Sequence, residues 1–256
     1  MRILQPLKYI TEYGGLLTNS QKVKGKKVKR KEKLSIFASR NLSPLADLVL
    51  TNFLCANNYL SLPILIMNDK LKEEIRKTQE VLKNGGIILY PTDTIWGLGC
   101  DATNAEAVKR IYEIKKRADN KSMLVLLDDA GKIASYADVP DIALDLIEVA
   151  DKPTTIIYPG AKRLASNLIA EDGTIGIRIS QEEFTQSLIF RFNRPIVSTS
   201  ANISGEPSPR FFDEISEEIK HAVDYIVDYR QNDHKPASPS SIIKLGMKGE
   251  IQIIRK

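Results

Sequence analysis

The sequence predicts an α/β domain over residues 67–256, preceded by a segment of different character, residues 1–66. Three observations predict it. Apolar runs of strand length alternate with stretches of helical periodicity. Capping residues and glycines punctuate those stretches at the spacing that helices require. The charge is also divided: residues 1–66 hold 11 Lys and Arg against 3 Asp and Glu, whereas the remainder holds 26 against 29. The basic balance of the chain therefore belongs to its first quarter, and overall charge gives no argument for a nucleic-acid-binding body. An apolar content of 43% and a charged content of 27% are those of a soluble globular protein.

The elements follow in order. Asn68 or Asp69 caps a helix whose positions Leu71, Ile75, Thr78, Val81 and Leu82 fall on one face, and Gly85 ends it. The run Gly86 to Tyr90 is a buried strand that stops at Pro91, which has no N–H for a ladder. Asn104 caps a second helix with Ala107, Val108, Ile111 and Ile114 inward. Met123–Leu127 is a strand, after which Asp128 or Asp129 opens another helix. Residues 140–150 are helical, with Ile142, Leu146 and Val149 as the buried set. Strands follow at Thr154–Tyr158, Thr174–Ile179 and Pro195–Thr199, the last two separated by a helix over 182–192. A helix near 212–221 and strands at Tyr225–Val227, Ser240–Leu245 and Glu250–Ile254 complete the series. Helices and strands intermingle without an internal repeat, which argues for one α/β domain.

Residues 1–66 read as an extension and not a folded domain, with Met67 as the working start. The run Lys22 to Lys33 is a block of like charge, read as a solvated tail ahead of a nucleic-acid or localisation patch. Leu48 to Ile66 carries no charged residue, but Asn52, Asn57, Asn58 and Pro63 argue against a membrane helix. Cys55 and Cys100 are the only cysteines, too few for a disulfide framework, so the expectation is a reducing, cytoplasmic compartment with no membrane association. No Cys/His cluster has metal-ligand spacing, and no metal site is expected.

Three segments carry chemistry. The first is Pro91-Thr-Asp-Thr-Ile-Trp-Gly-Leu-Gly99, where hydroxyls and a carboxylate at the end of a buried strand can point into a crevice. A plain strand-to-loop transition is the bland alternative. The second is Lys115 to Ser122, between a helix and a strand. Cations at a helix C-terminus suit its dipole, yet Arg117 and Lys121 together also make a phosphate clamp. The third is Ser198-Thr-Ser-Ala-Asn-Ile-Ser-Gly-Glu-Pro-Ser208, whose five hydroxyls and one amide exceed the needs of a turn. Thr174 and Arg178 share one face of their strand, and Arg255 ends the last one. Two decoys fail. Gly97 to Ala102 matches GxGxxA, but six residues separate it from the preceding strand, against a dinucleotide turn. Ser241-Ile-Ile-Lys244 lies in a strand, where i and i+3 face opposite sides.

Together, PTDTIWGLG at 91–99, KKR at 115–117 with Lys121, TIGIR at 174–178, STSANISGEPS at 198–208 and PSSI at 239–242 resemble the YrdC-like threonylcarbamoyl-AMP synthase family, in family order. The resemblance implies a twisted, mostly parallel sheet flanked by helices around a large, concave, basic cavity. It implies that L-threonine, bicarbonate and ATP are joined into threonylcarbamoyl-adenylate with release of pyrophosphate. Downstream transferase proteins would then act on tRNA. ATP would enter as a substrate carrying Mg2+. The implied threonine site is Thr94, Arg178, Ser198 and Ser240, with Arg178 on the substrate carboxylate. The implied ATP contacts are Arg117, Lys121, Thr174, Ser200, Ser208 and Arg255. Lys115, Arg117 and Asn202 match the signatures Lys-x-Arg and Ser-x-Asn, and stand as the catalytic set. Three departures from the family pattern are Ala118, where proline is usual, Leu126, where some members have histidine, and the glycine-free segment 236–240.

Two rival readings remain at this stage. One is an RNA-binding module of the same fold, with weak RNA contact and no adenylate synthesis. The other is a carbamoyl-transfer relative using carbamoyl phosphate, which would normally carry acylphosphatase and zinc-finger modules.

Overall fold

Local sequence sets the first helix. Asn68 accepts a hydrogen bond from the Lys70 N–H at 2.9 Å and starts α1 (Asp69–Lys83), and Gly85 follows its end at φ +76°. The computed structural model describes residues 68–117, 123–235 and 237–256. The tail run Lys22 to Lys33, the uncharged stretch Leu48 to Ile66, and the positions Met67, Ala118 and Lys121 lie outside the described residues.

The elements that follow are β1 (Ile88–Tyr90), β2 (Gly97–Gly99), α2 (Ala105–Ile114), β3 (Leu124–Leu127), α3 (Ile142–Glu148), β4 (Thr154–Tyr158) and β5 (Ile175–Ile179). Then come α4 (Glu183–Phe192), β6 (Ile196–Ser200), α5 (Glu217–Ala222), β7 (Tyr225–Ile226), β8 (Ser241–Leu245) and β9 (Ile251–Arg255). The strands form a single sheet in the order β7-β1-β2-β6-β3-β5-β4-β8-β9.

The α/β architecture agrees with the sequence, but the pairing is mixed and not mostly parallel. Only β1–β7, β3–β5 and β4–β8 are parallel; the other five neighbour pairs are antiparallel. Two of those five are hairpins. The short connection 91–96 and the turn through Gly246 and Gly249 leave no room for a crossover helix, so β1–β2 and β8–β9 must be antiparallel.

Alternation along the strands divides the core. Ile88, Tyr90, Leu126 and Ile196 face α1 and α4, packing against Ile75, Leu82, Phe184, Leu188 and Phe192. Ile87, Val125, Leu127 and Val197 face α2, against Val108 and Ile111. Asn104 caps α2 as expected, accepting from the N–H groups of Glu106 and Ala107.

Four expectations are corrected. Residues Gly97–Gly99 form β2, because bare glycines let that strand lie against its neighbours. A Cβ at Gly99 would stand 2.6 Å from Tyr90 Cε1 and 2.8 Å from Val197 O. Asp129 does cap the segment that follows it, accepting from the Gly131 N–H, but Ala130–Ser135 is a 3-10 helix and not an α-helix. The expected helix near 212–221 breaks into a 3-10 turn, Phe212–Glu214, and α5, which Ser216 caps anew. Val149 is 74% exposed, since α3 ends at Glu148 and the buried position of that helix is Ala143. Among the described residues, no helix is long and apolar enough to cross a membrane.

Candidate functional site

Beyond the cover of α1 and α4 the sheet opens into a cavity of about 300 Å3. Its floor follows strand register. On β6, Ile196 is core while Ser198 and Ser200, two and four positions on, line the cavity. Ser198 sits opposite Leu124 of β3, and Arg178 opposite Leu126. Gly176 lies beside Ile157, Thr155 beside Ile242, and Ile242 beside Arg255, which carries the same face across β5, β4, β8 and β9. Gly176 keeps the floor low, because a Cβ there would meet Thr155 Cγ2 at 3.3 Å and Leu124 Cβ at 3.4 Å.

The wall is the turn between β1 and β2. Thr92 organises it: its hydroxyl donates to Ile95 O at 2.8 Å, accepts from the Thr94 N–H at 3.0 Å and lies 2.9 Å from the Thr94 hydroxyl. Thr185 of α4 donates to Pro91 O at 2.9 Å and fixes the turn from behind. Thr94 is thereby presented to the cavity, and Trp96 packs against Phe212 at 4.8 Å between ring centroids. Asp93, between the two threonines, has Oδ1 3.0 Å from Nη2 of Arg178, with both side chains buried.

Nine of the sequence-derived residues line this one cavity: Thr94, Arg117, Thr174, Arg178, Ser198, Ser200, Ser208, Ser240 and Arg255. Thr174 donates to Asp172 Oδ1 at 2.6 Å, and Asp172 in turn pairs with Lys244 at 2.6 Å. Lys244, Thr174 and the Thr174 N–H hold the Asp172 carboxyl down at about 2. Arg255 donates to Ser240 O at 2.9 Å, and Ser240 Oγ lies 2.8 Å from Thr155 Oγ1. A residue expected on the nucleotide thus touches one expected on the amino acid, so the two sets meet at Ser240. Burial lowers the pKa values of both Arg117 and Arg255, and the charge of Arg178 adds to the effect on Arg255. Crowded guanidiniums of this kind favour an anion between them.

Lys115 and Asn202 are brought together, but neither is among the lining residues. The Lys115 ammonium is buried and donates to Ser200 O and Asn202 O, each at 2.6 Å, and lies 3.3 Å from Asn202 Oδ1. Asn202 Oδ1 also accepts from Ser200 Oγ at 2.5 Å, while its amide donates to Glu206 O at 2.6 Å. Burial first, and the charge of Arg117 second, push the Lys115 pKa down to about 8. The geometry is that of a strap tying the end of α2 to the loop after β6. The residue after the strap, Lys116, takes φ +49°, and Arg117 lines the cavity.

Sequence reasoning passed over Asp93 as a partner of Arg178, and Thr155 as a cavity hydroxyl. The alternation of Thr154–Tyr158 could have flagged Thr155; no local signal could have paired Asp93 with a strand 85 positions on. Among the described residues no group of three or more His, Cys, Asp or Glu is arranged to hold a metal ion. The arrangement offers charge neutralisation and many hydroxyls, with no nucleophile–base pair among its described lining residues.

Comparisons with known proteins bear on the family. The profile of the Sua5/YciO/YrdC family, described as telomere recombination, matches residues 80–256. A Methanocaldococcus jannaschii protein provisionally named threonylcarbamoyl-AMP synthase is 38% identical over 179 residues, covering 68% of this chain and 83% of its own. The threonylcarbamoyl-AMP synthase of Pseudoalteromonas translucida is 32% identical over 151 residues, 57% of this chain and 81% of its own. Among solved structures, Sua5 of P. abyssi complexed with L-threonine superposes with a TM-score of 0.60 at 27% identity, covering 67% of this chain. The matched region spans half the length of that Sua5 chain. E. coli YciO superposes with a TM-score of 0.61 at 25% identity, over 72% of this chain and 89% of its own.

Proposed function

The chain belongs to the Sua5/YciO/YrdC family, and from that premise we propose that it joins L-threonine, bicarbonate and ATP into threonylcarbamoyl-adenylate, releasing pyrophosphate, for transfer to tRNA by other proteins in the cytoplasm. The observation that carries the reading is the convergence of nine separately predicted residues, from three strands, four loops and the segment after a helix, on one cavity. Arg178 would take the carboxylate of threonine, and Thr94, Ser198 and Ser240 its hydroxyl and amino ends. Arg117 and Arg255, with Thr174, Ser200 and Ser208, would hold the triphosphate. Lys121 would join them from outside the described residues.

The chemistry asked of these residues is modest. A carbamate oxygen displaces pyrophosphate from the α-phosphate, and such a transfer needs alignment and neutralised charge more than a side-chain nucleophile. No carboxylate is among the described lining residues. A magnesium ion would therefore ride on the phosphates, where it would offset their charge. Lys115 and Asn202 serve the reaction by fixing Ser200, at the end of β6, and the loop that follows it.

The test is incubation of the purified chain with ATP, bicarbonate and each amino acid in turn, following pyrophosphate and the mass of the adenylate. Threonine-dependent, bicarbonate-dependent release is expected, with valine much poorer, because the unpaired hydroxyls then stay buried without a partner. Release that is equal with valine, or independent of bicarbonate, refutes the reading.

A further inference from the structure

A cavity suited to phosphate is hostile to one end of an amino acid. Arg117, Arg178 and Arg255 line it, and no described lining residue is acidic. An α-amino acid held by its carboxylate on Arg178 carries its ammonium into that positive field. Some negative charge must lie close by, or the amino group would weaken binding instead of aiding it.

Asp93 is placed to supply it. Its Oδ1 lies 3.0 Å from Nη2 of Arg178, and the two side chains are 7% and 4% exposed. The contact is an ion pair without hydrogen-bond alignment. Both carboxylate oxygens of Asp93, and Nε and Nη2 of Arg178, are buried with no hydrogen-bond partner. A pair serving only to hold the fold would be expected to spend those groups on a two-pronged bond. Here the guanidinium keeps donors in reserve, and the carboxylate charge, offset in part by Arg178, acts in a region of low polarisability. The backbone after Asp93 is held by the Thr92 hydroxyl, which accepts from the Thr94 N–H and donates to Ile95 O, and Thr94 itself lines the cavity.

We propose that Asp93 is a specificity-determining residue: the counter-charge for the α-ammonium group of the substrate, which makes the site select α-amino acids over acids of the same skeleton that lack the amino group. The inference rests on the threonine reading above. Asp93 acts across a short distance and through the orientation of Arg178, since its own oxygens are covered. It is a positioning residue and not a catalytic one.

The test is calorimetric titration of the full chain with L-threonine and with (R)-3-hydroxybutyrate, which keeps the hydroxyl, the carboxylate and the carbon skeleton. Wild type should favour threonine by about a hundredfold, and Asp93→Asn should cut that ratio about tenfold or more, as expected for removing one charge at short range in a weakly screened site. The variant should lose affinity for threonine and gain it for the hydroxy acid. Equal weakening of both ligands overturns the inference, because a merely structural role would act on both alike. Equal affinity of the wild-type protein for the two ligands overturns it as well, and needs no variant to fold. A wild-type chain that does not bind threonine at all refutes the proposed function itself. Threonine binding with an unchanged ratio refutes only the role of Asp93.

Discussion

Replacing Lys115 by Met separates a scaffold from a catalyst. Methionine keeps much of the buried stem and deletes the ammonium. Three acceptors are then abandoned: Ser200 O and Asn202 O at 2.6 Å, and Asn202 Oδ1 at 3.3 Å. A hydrogen bond from a charged donor is worth about 1.5–3 kcal/mol net. Two short ones and a longer one would sum higher, but the lysine also carries a desolvation cost, visible in its lowered pKa. We expect a net loss of about 2–4 kcal/mol. For a domain of this size that corresponds to roughly 5–15 °C in Tm. Urea and thermal unfolding measure it, alongside the ATP and threonine KM values of the folded protein. The contacts released hold Ser200 at the end of β6, so the ATP requirement should rise. Two results refute the reasoning. Stability within about 0.5 kcal/mol of wild type would mean the strap holds nothing. Wild-type stability with turnover abolished would mean that the ammonium acts in the chemistry.

The remaining predictions address the cavity. Arg117→Ala should mainly raise the ATP KM and Arg178→Ala the threonine KM, each by at least about 2 kcal/mol in kcat/KM, the scale of a charged hydrogen bond in a desolvated site; wild-type kinetics in both folded variants would refute the assignment. Gly176→Val places carbon where even a Cβ stands 3.3 Å from Thr155 and 3.4 Å from Leu124, so calorimetry should show ligand binding lost while the helical circular dichroism persists. Asp172→Asn tests the salt link to Lys244. The folded carboxyl lies at about 2 against an ordinary value of 3.8. Stabilisation is therefore present at neutral pH and is lost as pH falls from about 4 to about 2. The side chains are 36% and 51% exposed, so solvent screening limits the difference to less than about 1 kcal/mol at pH 7. A gap between wild type and variant that persists at pH 2 in urea unfolding would show that the carboxylate charge is not its source.

Much of the site was legible because its chemistry sits on short, regular patterns. Period-two alternation put Thr174 and Arg178 on one face, and the structure places both in the cavity. Side-chain caps located α1 and α2 to within a residue, since an Asn that accepts from the first turn is a local event. What was not legible depends on register between distant strands. Gly97–Gly99 carries one apolar side chain between two glycines, so it does not read locally as a strand and its hairpin with β1 is not legible; the mostly parallel sheet was what the family resemblance implied. Lys115 stood in the catalytic set with Arg117 because both match the Lys-x-Arg signature of the resemblance. Only the approach of the loop after β6, some 85 positions on, turns its ammonium away toward carbonyls. Val149 failed for a simpler reason: its helical spacing from Ile142 and Leu146 was correct, but α3 stopped one residue short of it.

The placement of the motifs follows from how one sheet face changes character along its strands. Under α1 and α4 that face must be apolar, and Leu126, Ile196 and Tyr90 fill it. Past the edge of the helices the same face meets the cavity, and the residues in step with them become Ser198, Ser200 and Arg178. The helices define where polarity is tolerated, and the strand period defines which residues can supply it. A serine or arginine one position earlier would point into the opposite core, among Val125, Val197 and Ile177, and would be buried without a partner at a cost of about 1–3 kcal/mol or more. The motif spacing that marks this family in sequence is therefore the footprint of a physical boundary: the line across the sheet where helix cover ends and a ligand can take over the packing.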